Sequence, residues 1–129
     1  MEGFILIVDD NPFYGKLIVY ILSHQTPYQI QLVETGFHAL NAAKKITPLL
    51  FLLDYQLPDM TGIELYDQLH KREGREMVPA IMVSANLPDQ KLEKRLLARR
   101  MTGMSKPFDT RKLLLAIDLV IAKQSETRS

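Results

Sequence analysis

At 129 residues, with 47% hydrophobic and 24% charged side chains, the sequence has the size and balance of one globular domain with a true core. It holds no cysteine, which excludes disulfides, a thiolate zinc site and a Cys nucleophile. A formal charge of +1 is too small for nucleic-acid binding by the whole domain, and no apolar stretch is long enough to cross a bilayer. Glu2 precedes a strand-like run, not a basic segment leading into a long apolar one, so a cytoplasmic domain without a signal peptide is expected.

Residues Phe4 to Val8 form a continuous apolar run that stops on the pair Asp9 and Asp10. So short a run reads as a strand buried on both faces. Asn11 and Pro12 start a helix: Asn caps, and Pro at the first helical position loses only an N–H that had no partner. This helix should reach Ser23 or His24, and Phe13, Leu17, Ile18, Tyr20, Ile21 and Leu22 make it apolar over more than one face. After Pro27, residues 29–33 alternate polar and apolar, as an edge strand with one covered face does.

Thr35 and Gly36 turn the chain into a helix from Phe37 to about Ile46, ended by Thr47 and Pro48. Leu49 to Leu53 is a second unbroken apolar run, and it stops on Asp54. A loop through Pro58 leads to a third helix, Gly62 to about Glu73, expected to bury Ile63, Leu65, Tyr66 and Leu69 in some combination. Pro79 to Val83 is the fourth strand, closed by Ser84. The fourth helix, about Pro88 to Arg100, is expected to bury Leu92, Leu96 and, at its margin, Leu97. Its other face carries Lys91, Lys94, Arg95, Arg99 and Arg100.

Thr102 to Ser105 is a poor strand by propensity and is assigned because strand and helix alternate elsewhere. Lys106, Pro107 and Phe108 end it, and Asp109 caps a last helix from Thr110 to about Lys123. On that helix Leu115 and Leu119 lie away from Leu113, Ile117 and Val120, a second apolar stripe. The domain is expected to cover residues 1–124, with 125–129 a frayed polar tail and no output domain following.

Alternating strands and helices of these lengths make an α/β fold with a single doubly wound (βα)5 parallel sheet. The apolar runs before Asp9 and Asp54 and the one ending at Ser84 are central, and the alternating or weak strands are edges. In such sheets the carboxyl ends of the strands carry the site. Asp9, Asp10 and Asp54 then share one pocket, where a like-charge pair at about 4 Å costs on the order of 4 kcal/mol. Raised pKa values or a cation must offset that. An all-oxygen set of two or three carboxylates suits Mg²⁺, which keeps waters and takes a phosphate oxygen; Ca²⁺ wants more ligands than the loops offer. Ser84 and Lys106 reach the same edge as a hydroxyl donor and a cation. With no cysteine, and with His24, His38 and His70 away from the strand ends, Asp54 is the natural nucleophile, and an acyl phosphate the expected product.

These residues, together with Leu57 to Gly62 and the Lys106, Pro107, Phe108 run, resemble the receiver domain of two-component response regulators of the chemotaxis-regulator type. The resemblance extends from about Phe4 to Lys123. It implies a flavodoxin-like strand order 2-1-3-4-5. It further implies that Asp54 takes a phosphoryl group from a phosphohistidine on a sensor histidine kinase or His phosphotransfer protein. Asp10, Asp54 and the backbone carbonyl of Gln56 would hold Mg²⁺, with Asp9 acting largely through water. Ser84 and Lys106 would bond phosphoryl oxygens, and the Lys106–Pro107 bond would be cis. The domain would catalyse its own phosphorylation and dephosphorylation without being an enzyme on other substrates.

One position departs from the pattern. Three residues before the lysine many receivers carry Tyr or Phe, and here stands Gly103. The signal is therefore expected to leave through residues 85–90 and the basic fourth helix. A downstream protein partner is expected, with a homodimer through the fourth or fifth helix as one form, and no direct nucleic-acid or membrane contact. Two rivals remain at this level: an Mg²⁺-dependent phosphohydrolase, for which Tyr55 and Gln56 supply no second acid, and a pseudo-receiver that binds partners without phosphorylation.

Overall fold

The computed structural model describes residues 3–71 and 78–128, and side chains in the last helix through Lys123. In chain order the elements are β1 (Phe4–Val8), α1 (Pro12–Gln25), β2 (Gln29–Val33), α2 (Gly36–Lys45), β3 (Leu50–Asp54), α3 (Gly62–His70), β4 (Ala80–Ser84), α4 (Gln90–Ala98), β5 (Thr102–Ser105) and α5 (Thr110–Arg128). All pairings are parallel, in the order β2-β1-β3-β4-β5.

The three central strands are buried at every position, while β2 and β5 hold only exposed and half-buried residues. The two-residue period of a strand sorts the central side chains into two layers. Leu6, Val8, Phe51, Leu53 and Met82 face Ala39, Ile63, Leu65, Leu69, Leu92 and Leu96 of α2, α3 and α4. Ile5, Ile7, Leu50, Leu52, Ile81 and Val83 face Ile18, Leu22, Leu113 and Ile117 of α1 and α5. No helix among the described residues is long and apolar enough to cross a membrane.

Several boundaries differ from the sequence reading for local reasons. β3 takes in Asp54 instead of stopping before it, because Asp54 pairs with Val83. α4 starts only at Gln90, where the Asp89 carboxylate accepts from Leu92 N at 3.1 Å. It is over before Arg100, whose φ of 56° is left-handed. Leu97 is 77% exposed, a correction to its expected burial: Leu92 and Leu96 stand one turn apart on the buried line, and the next residue is rotated about 100° off it. Tyr66 is half-buried because its hydroxyl donates to Arg99 O at 3.0 Å across to α4. Arg99 and Asp67 add a bidentate pair at 2.8 and 2.9 Å. The expected end of α3 at Glu73 lies outside the described residues. Residues 125–128, part of the tail expected to fray, continue α5.

The loop from Tyr55 to Thr61 positions the site. Thr61 and Glu64 close a capping box at the start of α3. Gly62 N donates to Tyr55 O, and a Cβ on Gly62 would meet Asp54 O and Met82 Sδ at 2.6 Å each, so only glycine lets α3 begin this close to the end of β3. Asp59 reaches away from the pocket and accepts from Gly36 N and Phe37 N at 2.9 Å each, capping α2. Burial works against its charge, but those two N–H groups hold its pKa below the ordinary value.

Candidate functional site

β1 and β3 are neighbours, with Val8 level with Leu53, so Asp9 and Asp54 emerge side by side at the carboxyl edge. Asp9, Asp10 and Asp54 each present an oxygen, and these oxygens lie within 4.8 Å of one another. Asp10 is exposed, whereas Asp9 and Asp54 are buried. The β4–β5 ladder continues one step past Ser84, where Lys106 N donates to Ser84 O at 3.0 Å. That step starts Lys106 beside the acids. Its Nζ lies 3.3 Å from Asp9 Oδ2 and 3.5 Å from Asp54 Oδ1. Both Asp9 oxygens are engaged, the other accepting from Asn11 N at 2.8 Å. Asp10 and Asp54 instead line an open cavity of about 570 Å³, together with Tyr14, Gln56, Ser84 and Lys106.

The expected residues therefore gather at one place. Ser84 is buried, and its Oγ accepts from Asn86 N at 2.9 Å, which fixes the start of the β4–α4 loop. The Lys106–Pro107 bond is cis, as is Leu87–Pro88. Asp109 keeps its capping role, accepting from Arg111 N at 2.7 Å. The histidines stay outside the site: His70, for one, bridges Tyr66 O and Val78 O at 2.8 and 2.6 Å. Sequence reading passed over Tyr14, whose ring centroid lies 4.7 Å from Lys106 Nζ.

Burial raises the Asp54 pKa to about 6, helped by the negative charge of Asp9 and opposed by Lys106. A carboxylate of that basicity is still roughly nine-tenths ionised at pH 7. It is thus both available and more nucleophilic than an ordinary aspartate. Two or three carboxylate oxygens facing an open cavity are a donor set for a hard divalent cation. The pocket thus sets a carboxylate, Asp54, beside an ammonium, Lys106, 3.5 Å apart, an arrangement that suits a group bearing negative oxygens.

The model of the response regulator receiver domain family matches residues 5–118. The chain belongs to that family, the phosphoryl-accepting signal receivers of two-component systems. Among its relatives, the histidine-protein kinase BarA of Escherichia coli K12 is 32% identical over 109 residues, 84% of this chain and 12% of that protein. PhoP of Bacillus subtilis, a transcriptional regulatory protein of alkaline phosphatase synthesis, is 31% identical over 126 residues, 95% of this chain and 50% of that one. The chain thus spans half or less of the length of these relatives. A CheY-like receiver from Methanospirillum hungatei JF-1 superposes with a TM-score of 0.89 at 27% identity, covering 98% of this chain and 99% of the other.

Proposed function

We propose that the domain is a phosphoryl-accepting switch in which Asp54 takes phosphate from a phosphohistidine of a sensor kinase or His phosphotransfer protein. The observation that carries this reading is the convergence of Asp54, Asp9 and Lys106, with Nζ 3.3 and 3.5 Å from the two carboxylates at one cavity. An Asp54 oxygen attacks phosphorus, the P–N bond breaks, and the departing imidazole keeps the electron pair and takes a proton from solvent. Mg²⁺ would be held by Asp10, Asp54 and the Gln56 carbonyl, with Asp9 behind through water, and would supply positive charge to the phosphoryl oxygens. Ser84 and Lys106 bond the transferred oxygens, the Ser84 hydroxyl donating to one of them. Hydrolysis of the acyl phosphate resets the switch, so the domain acts on itself and not on outside substrates.

Output is assigned to the α4 and α5 side, where Leu97, Leu115 and Leu119 are 77%, 59% and 55% exposed and could meet a partner or a second copy. Incubation with acetyl phosphate and Mg²⁺, followed by intact mass and released phosphate, tests the reading. One added phosphoryl group per chain, absent from Asp54→Asn, is expected. Release over many cycles from varied esters would make the chain a phosphohydrolase, and no uptake at all would make it a partner-binding module.

A further inference from the structure

Lys106 has a third partner besides the two carboxylates. The Asn11 side chain accepts from Phe13 N and Tyr14 N at 2.9 and 3.1 Å, so α1 begins directly after Asp10 and its first turn lies at the pocket mouth. Tyr14 there is half-buried, with Phe108 and Phe13 packed on it at centroid distances of 6.0 and 5.7 Å. Its ring stands 4.7 Å from Lys106 Nζ, whose side chain is only 11% exposed. A lysine is a point charge on a flexible four-carbon stem, so nothing within it fixes where the ammonium sits. Two of its three anchors are carboxylates, and one of these, Asp54, becomes an acyl phosphate in the reaction. The Tyr14 ring is unchanged by that step.

We propose that Tyr14 is a positioning residue for phosphoryl transfer, its ring face holding the Lys106 ammonium inside the cavity while the charge on Asp54 changes. This rests on the phosphoryl-accepting reading above. Phe108 and Phe13 pack against the ring, and the aromatic face supplies a hold that does not depend on the protonation or acylation of any partner. An aliphatic side chain at position 14 fills the space but removes the aromatic contact, leaving Lys106 held by Asp9 and by whatever charge Asp54 carries at that moment.

The test compares Tyr14→Phe, Tyr14→Leu and Tyr14→Met, the last being a flexible filler should the leucine variant fold poorly. Phosphorylation by acetyl phosphate with Mg²⁺ is followed by intact mass, and the Lys106 ε-methylene signals by NMR. An aromatic hold of this size predicts uptake about three- to tenfold slower in the leucine and methionine variants, with most of the rate restored in the phenylalanine variant. The ε-methylene protons should be ring-current shifted upfield in the wild type and in Tyr14→Phe, and unshifted in the other two. Wild-type rates in the aliphatic variants, an equal loss in Tyr14→Phe, or an unshifted wild-type signal would each overturn the proposal. A wild type that shows the shift but takes up no phosphoryl group would overturn both the functional reading and the role given to Tyr14, while leaving the contact itself established.

Discussion

Ser84 ends a strand between two regions built on different terms. On one side the acidic pocket is assembled from strand ends that the sheet register fixes, and its charges are mutually dependent. On the other side, the outer face formed by α4 and β5 is lined mostly by apolar side chains and, among the described residues, carries no cluster of buried charges. At Gly103 the chain carries no side chain, and Leu96 and Leu87 close over the position, since a Cβ there would meet their Cδ1 atoms at 2.9 and 3.1 Å. A groove of about 440 Å³ lies beside them, lined by Pro88, Glu93, Leu97 and Met101 among others. The contrast teaches that the pocket places each charge against a named partner, whereas the neighbouring face closes over Gly103 by leucine packing alone.

The largest expected effect breaks the pocket itself. Lys106→Ala leaves Asp9 and Asp54 buried without their cation, and should cost about 3 kcal/mol of stability in metal-free buffer by denaturant melting. The same variant should slow phosphoryl uptake on the order of a hundredfold. A variant that melts and reacts like the wild type would show that the charges are not coupled.

Next comes the pH dependence of metal-free Asp54→Asn. The folded-state pKa, about 6, lies above the ordinary 3.8, so the folded chain binds more protons than the unfolded one between those values. Ionised Asp54 therefore destabilises the fold above about pH 6, and stability returns as pH falls toward 4. Replacing it should stabilise by about 1–3 kcal/mol at pH 7.5, with the gain fading toward pH 4. A gain that grew on acidification would reverse the sign of the account.

Smaller effects are expected on the other face. Gly103→Tyr must push aside only the ends of two leucines, so it should change stability by less than about 2 kcal/mol and leave phosphoryl uptake within about twofold of wild type. If it instead changed how partner binding depends on phosphorylation, the glycine would gain a role in output. Arg99→Ala removes a bidentate but partly exposed pair with Asp67, worth below about 1 kcal/mol, with no effect on uptake.

The sheet was legible because three of its strands are unbroken apolar runs, and the acids because they stand at the ends of two of those runs; Lys106 follows a weak strand, placed only by the alternation of strands and helices. What the sequence hid depends on side-chain reach across elements. Nothing local marks Tyr14 as a partner of Lys106, ninety-two residues away, or Asp59 as the cap of α2. Leu97 looked buried by composition and was turned outward by a single helical step. Arg100 ended α4 through a left-handed φ that its residue type does not announce.

The claim on which everything else depends is that Asp10 and Asp54 face one cation. Calorimetric titration with Mg²⁺ tests it most directly, in the wild type and in Asp10→Asn. One ion per chain, bound at least roughly tenfold more weakly once Asp10 loses its charge, is the expected result. Equal affinity in the two proteins would contradict a shared site.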